Sequence, residues 1–181
     1  MRADARRNRD HLVEVARSAF TSGDGKVSLE AIAREAGVGI GTLYRHFPTR
    51  ESLIEAVYRA ELSRLCDRAG ELLATQPPDH ALREWMDRFA DYVTTKREMA
   101  DALRAVIASG VITTSQARAE LSTAVQMLLD AGAAAGTLRG DLRAEDVVAA
   151  IVGVFLACGH PDQRDQAGRL LDLLMDGLRR G

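Results

Sequence analysis

The segment Val27 to Leu53, VSLEAIAREAGVGIGTLYRHFPTRESL, holds the densest set of residues with usable chemistry. Gly39 and Gly41 flank Ile40 and leave the chain almost bare of side chains there. Backbone N–H groups so uncovered can approach an anion. Thr42 can donate to a phosphate or touch a thymine methyl. Tyr44 and His46 offer polar tips suited to phosphate oxygens, and Arg45 can reach a phosphate or a base edge. This set suits recognition of a polyanion rather than bond-making. No HExxH, GxSxG, P-loop or GxGxxG pattern occurs, so no enzyme, cofactor or metal site is expected. His11, His80 and His160 stand near helix ends or in loops without a partner motif, and they are expected to be solvated or capping.

Short helices must position that set. Helix one is expected over 9–22, with Leu12, Ala16, Ala19 and Phe20 on one face and Gly23-Asp24-Gly25 as its stop. Ser28 is a good N-cap for a second helix whose Leu29, Ile32 and Ala33 face inward. Gly37 ends it where a left-handed residue is usual. A third helix runs from about Ile40 to Phe47, and Pro48 breaks it. Ala33 allows close approach, Val38 plugs the angle, and Leu43 with Phe47, four apart, pins the third helix to the core. Two helices this short need helix one to cover their shared apolar side. The pattern is that of a helix-turn-helix, whose second helix presents its outer face and N-terminal end to the major groove.

GVGIGTLYRHFPTRESL, following an IAREA helix, resembles the DNA-binding domain of the TetR family of bacterial transcriptional regulators over about residues 8–57. That resemblance implies an all-helical homodimer with a DNA-binding head and a ligand-binding body. Such a protein typically represses, binds a pseudo-palindromic operator, and leaves it when a small molecule enters the body. Carried over by position, Thr42, Tyr44 and His46 would contact double-stranded operator DNA, chiefly at phosphates. Arg50, where a lysine is common, would clamp a phosphate, and Ser28 would add a backbone contact. Ile40, Gly41 and Arg45 would lie nearest the bases. One departure is Gly39, which stands where many members have a serine N-cap, so a possible hydroxyl contact is lost. Residues 136–181, with GTLRGDLRAEDV and RLLDLLMDGLRRG, resemble one C-terminal subgroup of that family, associated with actinobacterial regulators.

The rest of the chain reads as helix nearly throughout. Thr49 is expected to cap a long fourth helix that Pro77-Pro78 ends, and Asp79 to start a fifth. Further helices are expected at about 97–108, 114–132, 144–158 and 163–179, separated by Ser109-Gly110, Gly136 to Gly140, and Gly159-His160-Pro161. The fold class is therefore all-α, with about nine helices. Residues 1–50 form a three-helix DNA-binding domain, and residues 51–181 a helical bundle for ligand binding and dimerisation. Trp85, Met86, Phe89, Leu103, Val106, Ile107, Leu121, Val125, Leu128 and Phe155 suit either a bundle core or the lining of a cavity for an apolar effector. Gly132, Gly136 and Gly153 would leave it room. The segment Val147 to Cys158 is apolar on nearly every side, so a helix there is expected to be buried all round. Its Val147, Val148, Ile151, Val152 and Phe155, with Leu170, Leu171, Leu174 and Leu178 of the last helix, offer two apolar faces for a four-helix dimer interface. A central helix of a monomer is the alternative.

Composition is compatible with this. The chain of 181 residues is 46% hydrophobic and carries a net charge of -2. Residues 1–50 hold nine Lys and Arg against six Asp and Glu, while the remainder is acidic, so any polyanion contact belongs to one end. Arg2, Arg6, Arg7 and Arg9 precede the expected helix one. A solvated tail is the expected reading, and an arm into a minor groove the alternative. Cys66 and Cys158 lie far apart without ligand spacing, as small core residues in a reducing compartment do. Without an apolar h-region or a run of about 20 apolar residues, a cytoplasmic protein away from membranes is expected. The function expected is a homodimeric repressor released by a small-molecule effector. Alternatives are an activator, a ligand-independent regulator, or a small-molecule-binding helical protein without a regulatory role.

Overall fold

Proline and glycine punctuation divides the chain into helices, as a computed structural model describing residues 2–22, 27–108, 110, 113–158 and 160–180 shows. Among the described residues these are α1 (Arg2–Ser22), α2 (Leu29–Glu35), α3 (Ile40–His46), α4 (Arg50–Leu73), α5 (Pro78–Glu98), α6 (Ala100–Ala108), α7 (Thr114–Ala135), α8 (Ala144–Ala157) and α9 (Arg164–Leu178). A short 3-10 turn, Pro161–Gln163, precedes α9. The all-α reading and its helix count hold, with most boundaries within two or three residues. The expected stops at Gly23-Asp24-Gly25, Ser109 and Gly159 lie outside the described residues.

Two units make up the chain. The first comprises Met1–Glu61 and Thr94–Thr113, the second Leu62–Val93 and Thr114–Gly181. In the first, α1 packs on α2 and α2 on α3. Leu12, Ala16, Phe20, Ile32, Leu43 and Phe47 are buried there, the apolar stripes that the three helices could not hide alone. Arg17 ties α1 to the first unit's part of α4 through Glu61, at 3.7 Å.

Local chemistry sets the ends of the short helices. Ser28 Oγ accepts the Ala31 N–H at 3.1 Å and caps α2. At the other end Gly37 has φ +67°, which an L side chain rarely adopts. Its N–H donates to the Arg34 carbonyl and the Val38 N–H to the Ala33 carbonyl, the paired bonds of a Schellman turn. Thr49 and Ser52 cap α4 reciprocally: the Ser52 N–H donates to Thr49 Oγ1 at 3.1 Å and the Thr49 N–H to Ser52 Oγ at 3.2 Å.

In the second unit α7 packs on α8 and α8 on α9. Ion pairs Asp79–Arg179, Arg83–Asp172 and Asp91–Arg164 join α5 to α9 and its C-cap, Arg179. Their α9 partners fall in number as the α5 numbers rise, as antiparallel helices require. Such exposed pairs add little stability and chiefly set register. At the end of α7, Gly136 (φ +72°) forms a second Schellman turn that folds Leu138 back over Gly132. The segment then pairs with the chain after α9, the Arg139 N–H donating to the Leu178 carbonyl at 2.9 Å.

The structure corrects two expectations, on helix one and Gly132, and narrows a third. Helix one begins at Arg2 rather than near residue 9, because residues 2–9 contain no helix breaker and Arg9 has a ring to stack on. The basic residues expected as a tail thus stand on a helix. The narrowed one concerns α8, expected to be buried all round with a second subunit as one cover: its own chain covers one side only. Val147, Val148, Ile151 and Phe155 form its inner stripe, while Leu156 is 78% exposed and Ala149 and Gly153 lie at the surface. Gly132, in turn, leaves no room for a ligand. A Cβ there would lie 2.3 Å from Leu138 Cδ1, so the space is already filled.

Gly132→Ala should therefore destabilise the protein by about 1–3 kcal/mol through overpacking. Gly70→Ala in α4, where an added Cβ meets nothing within 4 Å, should be neutral or stabilising. Urea unfolding checks this, and an unshifted midpoint for Gly132→Ala would contradict the packing described.

Candidate nucleic-acid interface

The third helix has seven residues, too few to persist alone, and only Leu43 within it is buried. Phe47, its C-cap, is the second anchor at 2% exposure. Burial of two such side chains is worth roughly 1.5–3 kcal/mol each. Holding α3 by one edge turns the others outward. Gly39, Gly41 and Arg45 are exposed, Ile40 and Tyr44 lie 37% and 45% open, and Thr42 and His46 are half-buried. No acidic side chain interrupts this surface on α3 itself.

Neither sterics nor backbone angle calls for glycine at 39 or 41. Neither has a positive φ, and a Cβ at either would meet nothing within 4 Å. Gly39 caps α3 with extended backbone and no side-chain bond, while the Thr42 N–H donates to its carbonyl at 2.8 Å. Gly41 within a helix costs about 0.5–1 kcal/mol relative to Ala. Bare backbone on an exposed helix end is what close approach of another molecule demands.

The remaining residues expected at this surface lie around α3. Ser28 is exposed at the start of α2. Its lone pair serves as the cap, which leaves the hydroxyl proton for another acceptor. Arg50 has an internal duty: its guanidinium donates to the Val27 carbonyl and stands 5.2 Å from the centre of the Phe20 ring. It thereby ties the start of α4 to the residue before Ser28, with further N–H donors in reserve. Arg9, expected from the sequence in a solvated tail, is instead held against the end of α3. It lies 5.2 Å from the centre of the Phe47 ring. The signal was present in its spacing from Leu12, Val13 and Ala16, which places it on the core-facing stripe.

The residues expected for a ligand cavity do not form one group. Trp85, Met86, Phe89, Leu121, Val125, Leu128 and Phe155 belong to the second unit and are all buried. Phe89 stands 5.9 Å from Trp85, 5.7 Å from Tyr92 and 5.7 Å from Phe155 between ring centres. Trp85 Nε1 donates to the Leu65 carbonyl at 2.9 Å. Leu103, Val106 and Ile107 lie on α6 in the first unit, where the first two are buried and Ile107 is 48% exposed. An open groove of about 1200 Å³ runs along α7 past Ser122 and Met127, and none of the ten residues lines it.

Of the residues expected at a dimer interface, Val147, Val148, Ile151, Phe155, Leu171 and Leu178 are buried within the chain itself. Val152, Leu170 and Leu174 remain half-open, beside Leu156 and the 67% exposed Leu173, which sequence reasoning missed. Burial also pushes the Cys66 thiol up to about 11, with Glu120 and Asp67 adding to the shift. It is therefore a protonated, unreactive thiol near neutral pH. Among the described residues no helix is long and apolar enough to cross a membrane, and no cluster of His, Cys, Asp and Glu could hold a metal.

Gly41→Ala should raise fold stability by about 0.5–1 kcal/mol, because helix propensity improves and nothing clashes. The same change should weaken nucleic-acid binding. Paired thermal-melt and binding measurements check this, and an affinity that held or rose with stability would contradict the role assigned to bare backbone.

Residues 12–57 match the family described as bacterial regulatory proteins, tetR family, and residues 77–180 match the transcriptional regulator SbtR-like, C-terminal domain. The chain is 54% identical to the TetR transcriptional regulator SCO0520 from Streptomyces coelicolor, covering 94% of this chain and 98% of that one with a TM-score of 0.83. A TetR transcription regulatory protein from Mycobacterium vanbaalenii is 33% identical over 99% of both chains, with a TM-score of 0.76. An HTH-type transcriptional regulator of Staphylococcus aureus (strain USA300) is 41% identical over 63 residues, 34% of this chain and 34% of that protein. The chain thus spans about a third of the length of the curated relatives it matches. A family match over more than half of the chain, an SCO0520 likeness along nearly all of it and a helix-turn-helix with its outer face bare agree: the chain belongs to the TetR family of DNA-binding transcriptional regulators, with an SbtR-like C-terminal domain.

Proposed function

We propose that the protein is a homodimeric repressor whose two α3 helices read a pseudo-palindromic operator and which a small-molecule effector releases. The observation that carries the reading is the outward face of α3, where neither sterics nor backbone angle within the chain calls for glycine at 39 or 41. Tyr44, Thr42, His46 and Ser28 supply phosphate contacts that set position, as do the spare donors of Arg50. Arg45, Ile40 and the backbone at Gly41 lie nearest the base edges.

Val152 and Leu156 of α8, with Leu170, Leu173 and Leu174 of α9, make the partner-facing surface. Isologous pairing of that surface would hold two recognition helices at a fixed separation. Two half-sites need that separation close to one helical turn, about 34–36 Å. An effector entering the aromatic cluster of the second unit, with Trp85, Phe89 and Phe155 against it, would act through α4, which carries residues of both units. It must favour the state with misplaced α3 helices, because equal affinity for both states shifts nothing. The close packing of Phe89 against three rings favours a second reading, a regulator that needs no effector.

Fluorescence anisotropy tests the reading, with the duplex upstream of the protein's own gene and a scrambled duplex across a salt series. Tight binding to the first alone is expected, with affinity falling about 10³–10⁵ between 50 and 200 mM salt for 6–10 phosphate contacts. Tyr44→Ala should weaken binding to every sequence and flatten that dependence. Equal, salt-insensitive binding of both duplexes would overturn the reading.

A further inference from the structure

The first turns of α1 carry a charge pattern that the fold does not require. Its buried stripe is Leu12, Val13, Ala16 and Phe20. Followed toward the N-terminus in steps of three and four, the register passes to Arg9 and then Arg6. Apolar residues thus give way to arginine along one side of one helix. Arg7, by the 3.6-residue period, falls on the opposite side. All of Arg6, Arg7 and Arg9 are exposed.

Arg9 fixes which way this stripe looks. Its guanidinium lies 5.2 Å from the centre of the Phe47 ring, and Phe47 is the C-cap of α3. Asp10 approaches Arg9 only to 4.0 Å, and the Arg9 side chain stays 49% exposed. Arg6 follows on the same side, about 4.5 Å farther along the axis. Cations at a helix N-terminus are disfavoured by the macrodipole. Residues 2–10 hold four arginines against Asp4 and Asp10. A polyanion against the stripe would reverse that penalty.

We propose that Arg6 and Arg9 contact backbone phosphates of the duplex beyond those met by α3, extending the footprint past the end of the recognition helix. This rests on α3 reading DNA and deepens that reading. The partner is duplex DNA and the contact is independent of sequence. Arg9 uses one face of its guanidinium on Phe47 and keeps its N–H edge for the phosphate, as a planar fork allows.

The test is a salt series by anisotropy on the full chain, comparing Arg6→Ala, Arg6→Ala with Arg9→Ala, Arg6→Lys and Arg7→Ala. Alanine suits helices at least as well as arginine, so Arg6→Ala keeps the fold. Each lost phosphate contact should lower the slope of log affinity against log salt by about 0.9. Arg6→Ala is expected to lower it by about 1 per protomer, and the double variant by about 2. Arg6→Lys should hold the slope, and Arg7→Ala should leave it unchanged. Equal slopes for Arg6→Ala and the native protein, or equal losses from Arg6→Ala and Arg7→Ala, would overturn the proposal. Failure of the native protein to bind any duplex in a salt-dependent way would instead overturn the DNA-reading function itself.

Discussion

Burial of Leu43 and Phe47 along one edge of a seven-residue helix is the constraint on which the reading surface depends. A helix so short has no stability of its own, so its orientation is whatever its anchors dictate. The two anchors stand four residues apart, on one side of the turn. Gly39, Ile40, Gly41, Tyr44 and Arg45 are thereby turned outward, with Thr42 and His46 half-buried between the two sides. The Gly37 turn sets the angle at which α3 leaves α2, and the Thr49–Ser52 box starts α4 immediately after it. Arg50 and Arg9 then draw the flanks together, one on Phe20 and Val27, the other on Phe47.

Most of this was legible because the controlling forces are local. Caps, positive-φ glycine and four-residue apolar spacing act over one or two turns, so Ser28, Gly37, Leu43 and Phe47 could be placed from their neighbours alone. What could not be read depended on distant partners. Arg9 looked like part of a solvated tail because its stacking ring lies 38 positions away in the chain. Gly132 looked like spare volume because Leu138 reaches it only after the chain reverses at Gly136. The α8 segment has apolar residues all round, and periodicity cannot tell which side its own chain covers. Packing resolves that, leaving Leu156 outward and Ile151 inside.

The two units ask different things of sequence. In the first, some positions are filled by residues that a stable helix would not choose, notably Gly41 and the exposed Tyr44. Helix stability is given up there, and the backbone is left open at the surface. In the second, the buried positions are large and mutually fitted, with Phe89 among three other rings. The exposed large apolar side chains of that unit among the described residues are Met127 on α7, Leu156 on α8 and Leu173 on α9. A side chain such as Leu156, 78% exposed on an otherwise ordinary helix, gains most from a second apolar surface laid against it.

Groove occupancy by α3 is tested most directly by dimethyl sulfate methylation of guanine N7 in a duplex saturated with the protein. That atom is displayed in the major groove. Two protected patches, centred about one helical turn apart, are expected from a symmetric pair of recognition helices. Guanines as reactive in the saturated complex as in the free duplex would contradict a major-groove reader held by Leu43 and Phe47.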